Sequence, residues 1–255
     1  MLTDEFDRKE KEIFTSKDYM SPLKDCPKTA VSFFSTVIEE QFIKLFNPVQ
    51  IATISVGSKI PVWKFTYKGK DMVYFRSVVG APALACMMEE LSAIGIENFL
   101  IAGNCGVLDE NIPGYSLILP TSAYRDEGTS FHYAEPSDEI EANPELVQKM
   151  QTYLDEKNVP YILGKTWTTD AIYRETRERA ERRKAEGCVC VEMENAALNA
   201  VANFRNLNFC QVLYGADVVV EGKHEFRNLV REHRDLTKEE NLLMLIVDMG
   251  KEIYD

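Results

Sequence analysis

The stretch "CVCVEMENAALNAVANF", residues 188–204, decides the fold. Residues 188–191 have strand character and run straight into Glu192, Met193 and Glu194, after which a small-residue helix pattern begins. A buried strand that hands over directly to a helix is the repeating unit of α/β proteins. The two glutamates stand at that handover. Negative charge is favoured at a helix N-terminus, so capping explains one of them. A carboxylate that accepts hydrogen bonds from two adjacent hydroxyls is also a common grip on a sugar diol. Both readings remain open for the pair.

Outward from this stretch the chain keeps alternating. Residues 51–56, 62–68 and 71–79 read as strands, with "KGK" as the turn between the last two. Residues 80–95 read as a helix with Pro82 in its first turn and Gly95 as its stop. Residues 97–103 and 115–120 are short apolar strands, and 143–158 is a helix opened by Asn143 and Pro144. A strand at 159–169, a charge-dense helix at 173–187, a strand at 208–217 and an amphipathic helix at 237–255 complete the pattern. The implied fold class is α/β: one domain over residues 1–255, with a mixed sheet flanked by helices and an atypical N-terminal arm over residues 1–45.

Composition narrows the function classes. A net charge of −12 on 255 residues argues against a nucleic-acid backbone or an anionic membrane surface as the main partner. The start "MLTDEFDRKEKE" resembles neither a signal nor a transit peptide, and no apolar run is long enough to span a bilayer, so the expectation is cytoplasmic. Cys26, Cys86, Cys105, Cys188, Cys190 and Cys210 are scattered without a CxxC pair and read as buried reduced thiols. His132, His224 and His233 lack zinc-ligand spacing with them, and no metal is expected.

Ligands of such sheets bind where strands end and loops begin, which singles out four further stretches. "LIAGNCGVLDE" (100–110) places Gly103, Asn104 and Gly106 after a strand, as an anion-binding nest or a plain turn. "TSAYRDEGTSFHY" (121–133) crowds Arg125, His132 and several acids into a loop; Arg125 paired with a carboxylate and His132 packed between aromatics are the bland alternatives. "TWTTDAIYRET" (166–176) sets Ile172 and Tyr173 beside a polar turn, where a flat ligand could stack or a core could continue. "VLYGADVVVEG" (212–222) puts Asp217 just past an apolar strand, where a carboxyl can have a raised pKa and act as a general acid, or cap a helix.

The motifs "GNCG", "RDEGTSFHY", "TWTTDAIYRET", "VEMENAAL" and "GAD", in this order, resemble the nucleoside phosphorylase and nucleosidase superfamily, in its uridine phosphorylase-like and hexameric purine nucleoside phosphorylase-like branch. The likeness covers residues 75–220. It implies a sheet curled into a distorted barrel and cleavage of a nucleoside's N-glycosidic bond by phosphate, with no other cofactor. It implies ribose binding by Glu194 and Met193 with Glu192 in support, and protonation of a purine leaving group by Asp217. It further implies a phosphate side near Gly103 and Asn104, a base pocket with Ile172 and Tyr173, and a homodimer or hexamer in which a neighbour supplies a residue such as His132. Three features depart from the pattern. The "GDPxR"-like loop is missing, and Ile101 stands where an arginine is usual, leaving Arg76, Arg125 or Arg174 as substitutes. Thr176 and Glu178 stand where uracil-recognising members carry Gln and Arg. A water-using nucleosidase, with Glu39 or Glu40 as base, and a non-catalytic nucleoside-binding protein are the alternatives.

Overall fold

A computed structural model describes residues 6–220, 223–226 and 236–255, with backbone alone at 217, 220, 223–226, 236 and 237. The N-terminal arm carries one short helix, α1 (Ser16–Tyr19), and leads into β1 (Thr29–Phe33) and α2 (Thr36–Phe46). A meander of β2 (Val49–Val56), β3 (Ser58–Tyr67) and β4 (Lys70–Arg76) follows. Next come α3 (Ala81–Ile94), β5 (Asn98–Val107), β6 (Leu117–Asp126), β7 (Glu139–Glu141) and α4 (Pro144–Glu156). The chain continues through β8 (Tyr161–Thr169), α5 (Arg177–Ala185), β9 (Cys188–Glu192), α6 (Asn195–Arg205), β10 (Asn208–Val220), β11 (Lys223–Phe226) and α7 (Leu236–Ile253). Both β1 and α2 lie inside the stretch expected as an arm, so the arm itself is short.

The sheet is mixed, in the order β11-β10-β6-β8-β9-β5-β1-β4-β3-β2 with β7 on β6. A second pairing of β10 with β5 closes β5, β10, β6, β8 and β9 into a five-strand barrel. Helices α2, α4 and α7 cover one face through Phe33, Phe42, Leu100, Val212 and Ile246. Helices α3 and α6 cover the other through Phe75, Leu84, Phe99, Ile101 and Val201. Strands covered on both faces carry nearly continuous apolar runs, and all five residues of β1 are buried.

Local chemistry fixes the element ends. Asn143 accepts from the N–H groups of Glu145 and Leu146, with Pro144 opening α4. Lys68 and Gly69 have φ of 46° and 81°, the two positive values that a tight hairpin needs, and form the "KGK" turn. The helix expected at 173–187 is split: a 3-10 turn at Ile172–Arg174 precedes α5, whose cap is Thr176. The six cysteines are free thiols; Cys86 is exposed and Cys26 half-buried, and the other four are buried.

One buried acid ties the C-terminal helix to this scaffold. Asp248 on α7 accepts from Tyr67 at 3.0 Å, Lys68 at 2.5 Å and Tyr153 at 2.9 Å, and Lys157 lies 3.0 Å away. Burial alone would raise its pKa, but the bonds from Lys68, Lys157, Tyr153 and Tyr67 outweigh it and hold the carboxyl well below the usual range. A depressed carboxyl stabilises the fold above its unfolded pKa, and that contribution is lost as pH falls through the folded value. Asp248→Asn is expected to cost about 2–3 kcal/mol in urea unfolding at pH 7. The difference from wild type should shrink below about pH 4; a difference that holds constant with pH would remove the charge from the explanation.

Candidate active site

Handover from β9 to α6 separates the two glutamates. Glu192, the last residue of β9, is 6% exposed. One of its oxygens accepts from the N–H groups of Glu194 and Asn195, at 2.7 and 2.6 Å. The other accepts from the Thr168 hydroxyl at 2.5 Å and lies 3.4 Å from that of Thr166. Thr168 in turn accepts from the Ala196 N–H at 3.0 Å. Glu192 is therefore the cap of α6, supplied from two residues before the capping position. Glu194 holds the N-cap position but makes no cap bond with its side chain. Its carboxylate, 5% exposed, instead accepts from the Gly80 N–H at 2.6 Å. Gly80 has φ +108°, a conformation that a residue with a Cβ rarely adopts, and this aims its N–H at the acid. Met193, between the acids, is half-buried.

Two carboxyls this close and this dry disfavour joint ionisation. Burial raises the pKa of Glu192 to about 7 against the bonds from Thr168 and the two N–H groups, and the charge of Glu127 adds to the rise. Burial and the charge of Glu192 raise Glu194 to about 8. Glu127 is itself buried and accepts from the Ser130 N–H at 3.0 Å and from the Ser130 hydroxyl.

Several expectations on the anion side need correction. The "GNCG" segment is neither a nest nor a turn, because β5 runs through it to Val107 and pairs with β10 and β9. A Cβ on Gly103 would stand 2.8 Å from the Phe34 ring, so that aromatic covers the glycine. Arg125 is 4% exposed and turned into its own loop. Its guanidinium donates to Ser130 at 2.8 Å, to the Glu135 carbonyl at 2.7 Å and to Ser137 at 2.9 Å, and lies 3.9 Å from the centre of the Phe131 ring. Among the described residues it forms no salt bridge with a carboxylate, and its burial and these bonds turn it away from a phosphate role. Arg76, at the end of β4, is bound to Glu39 at 3.0 Å. Asn104 is exposed and lines a cavity of about 620 Å³ with Phe34, Ser35, Thr36, Ala216 and Lys238. That cavity lies at the N-terminus of α2.

On the opposite side, Ile172 and Tyr173 lie on the 3-10 turn and are 52% and 97% exposed. Neither is part of the core. His132 ends another 3-10 turn, Thr129–His132, and is exposed rather than packed. Arg174 is exposed on the turn with Tyr173. The backbone of Asp217 sits inside β10, opposite Phe226, three residues before the strand ends; its side chain lies outside the described residues. The side chain of His224 and all of His233 lie outside them too.

Thr168 and Gly80 take part in the site without having been singled out in the sequence, and Glu127 is one of the acids already noted in the 121–133 stretch. Thr168 and Glu192 are cross-strand partners in the β8–β9 register. The signal for that contact is a register, which one strand read alone does not carry.

This fold and these paired acids at a strand–helix handover define an α/β barrel with a polar site at its strand ends. A family model described as "Phosphorylase superfamily" matches residues 37–247, and the chain belongs to that family. A DeoD-type purine nucleoside phosphorylase of Brevibacillus brevis is 28% identical over 160 residues, 62% of this chain and 68% of the relative. A guanosine phosphorylase of Halorubrum lacusprofundi is 27% identical over 142 residues, covering 56% and 59%. In fold, the chain is similar to uridine phosphorylase from Vibrio fischeri ES114, with a TM-score of 0.70 at 20% identity over 93% of both chains. No described helix is long and apolar enough to cross a membrane.

Proposed function

We propose that the protein cleaves the N-glycosidic bond of a purine nucleoside with phosphate, giving free base and ribose 1-phosphate. The observation that carries this is Glu194: a buried carboxylate whose orientation is fixed by the Gly80 N–H and whose capping duty has been taken over by Glu192. Such a group is placed to accept from the two ribose hydroxyls, with Met193 packed under the sugar. As the bond from C1′ to N9 breaks, its electron pair goes to the base, and Asp217 gives a proton to N7 of the leaving purine. Negative charge on the acids favours the oxocarbenium-like sugar. A phosphate oxygen then bonds to C1′. Ile172 and Tyr173 stack on the base, and the exposed His132 serves a neighbouring subunit of a homodimer or hexamer.

The phosphate would enter the cavity beside Asn104. The first N–H groups of α2 and the Lys238 ammonium meet it there, with Arg76 as a further cation once it leaves Glu39. A purine is favoured because Thr176 and Glu178 replace the residues that read uracil, and because the similar relatives include purine and guanosine phosphorylases.

A second reading has its own observation. The Phe34 ring over Gly103 removes the backbone approach to an anion, while Glu39 is 16% exposed and held by Arg76, as a base for water would be. One assay separates the two: base release from inosine, guanosine, adenosine and uridine, with and without phosphate, with ribose 1-phosphate measured in parallel. Phosphate-dependent release of purine bases with the sugar phosphate is the expected result. Release that ignores phosphate gives the reaction to water and Glu39. No release at all, beside measurable nucleoside binding, overturns both.

A further inference from the structure

Two buried donors stand without acceptors on the sheet face that α2 covers. Tyr74 on β4 is fully buried, and its hydroxyl has no hydrogen-bond partner among the described residues. Trp63 on β3, its cross-strand partner, packs on the same core and likewise keeps a buried indole N–H without an acceptor among them. The Phe42 ring of α2 stacks on Tyr74 with centroids 4.0 Å apart and planes 15° from parallel, which fixes the phenol in place. A buried donor left unpaired costs the fold stability, so this one calls for an acceptor that arrives in another state.

One carboxylate is close in the fold. Glu39 stands one turn before Phe42 on α2 and is held at 3.0 Å by Nε of Arg76, which follows Tyr74 by two residues on the same face of β4. These two residues supply the charges that act on the Tyr74 hydroxyl. Burial pushes its pKa up, Glu39 adds to the rise, and Arg76 opposes it. The side chains of Glu39 and Arg76 are 16% and 28% exposed, and partly exposed pairs of this kind contribute little. Arg76 is also the register partner of Phe33 in β1, and the next two residues, Phe34 and Ser35, line the cavity beside Asn104. A phosphate in that cavity offers the guanidinium two oxygens in place of one.

We propose that Tyr74 is a second seat for the Glu39 carboxylate: when phosphate enters the cavity, Arg76 leaves Glu39 for the anion, and the Tyr74 hydroxyl donates to the carboxylate left behind. This deepens, and rests on, the phosphorolytic reading above. Without the phenol, a carboxylate with little exposure would be stripped of its cation, and that cost would be subtracted from phosphate affinity. With it, both charges stay satisfied, the guanidinium on the phosphate and the acid on a neutral donor. The exchange also gives the unpaired hydroxyl its acceptor.

The test compares wild type with Tyr74→Phe, Glu39→Gln and the double variant. It measures calorimetric affinity for inorganic phosphate, KM for phosphate during inosine cleavage, and urea unfolding without phosphate. Tyr74→Phe is near-isosteric and is expected to unfold at the same urea concentration as wild type or a higher one, since it removes an unpaired buried hydroxyl. Its phosphate affinity is expected to fall, and its KM for phosphate to rise, by about 10- to 100-fold, the range for a hydrogen bond to a charged group. Glu39→Gln is expected to release Arg76 and tighten phosphate by about 2- to 5-fold. Adding Tyr74→Phe to that variant is expected to change affinity by less than about 3-fold. Unchanged phosphate affinity in Tyr74→Phe, or an equal loss once Glu39 is replaced, would overturn the exchange and leave phosphorolysis standing. The expected pattern of phosphate affinities in a protein that cleaves no nucleoside would keep the exchange and remove the cleavage reading. No phosphate bound by wild type, with base release that ignores phosphate, would end both.

Discussion

A Glu194→Gln variant is expected to lose about 10³-fold in kcat/KM and to be more stable than wild type. The loss follows from the chemistry of the acceptor. An ionised carboxylate takes two charge-assisted hydrogen bonds from a diol, each worth about 1.5–3 kcal/mol, and the amide replaces one acceptor with a donor. About 4 kcal/mol off the transition state is about 10³ in rate. The stability gain follows from burial. At neutral pH wild type keeps a second acid beside Glu192 in a dry site, held by the Gly80 and Met193 N–H groups, and glutamine relieves that strain.

The pH dependence gives this prediction its sign. The folded pKa of Glu194 lies near 8 and the unfolded value at 4.5, so between these limits the native state binds the extra proton. Stability therefore falls as pH rises through this window. The advantage of Glu194→Gln over wild type should be small at pH 5 and grow to on the order of 2–4 kcal/mol by pH 9. Catalysis runs the other way, because the diol needs the ionised form. The kcat/KM profile of wild type should have an acid limb with an apparent value between about 7 and 8 that belongs to the pair. Chemical unfolding at several pH values measures the first, and initial rates the second. A variant that retains activity, or one destabilised at pH 9, would take Glu194 out of the sugar site.

Much of this scaffold was legible because it rests on local signals. The strand–helix alternation, the Asn143-Pro144 start of α4 and the "KGK" turn are short-range, and the structure places each where the sequence suggests. The handover at 188–204 was legible as a handover. Which glutamate caps and which is left for a ligand was not, since that depends on Thr168 reaching across from β8 and on Gly80 arriving from the far end of β4. The anion side was misjudged for a related reason. Two glycines in "GNCG" look like a turn when read along the chain. In the barrel they are places where Phe34 and Val219 come close to a strand, since a Cβ on Gly106 would stand 2.6 Å from Val219. Arg125 was open to an anion or to a carboxylate partner, and neither reading anticipated acceptors that include backbone carbonyls ten and twelve residues further on, which no pairing of side chains reveals.

Glu192 offers the sharper division between holding the site and acting in it. Glu192→Ala is expected to destabilise the fold by about 2–4 kcal/mol, because two buried N–H groups at the start of α6 and the Thr168 hydroxyl lose their acceptor. Loss of the cap also frees the Glu194 backbone, so kcat should fall with stability. Glu192→Gln is expected to fold within about 1 kcal/mol of wild type, since its amide oxygen accepts the two N–H groups and its amide nitrogen donates to the Thr168 oxygen. That variant removes a negative charge beside Glu194, whose pKa then falls, and the acid limb of kcat/KM should move to lower pH. At pH 6 the glutamine variant should gain on wild type, while at pH 9 the two should converge. A shifted limb with unchanged activity at high pH marks Glu192 as a positioning residue that acts through Glu194. If Glu192→Gln instead loses activity at every pH without moving the limb, Glu192 contacts the sugar itself, and the division of labour at this handover is the reverse.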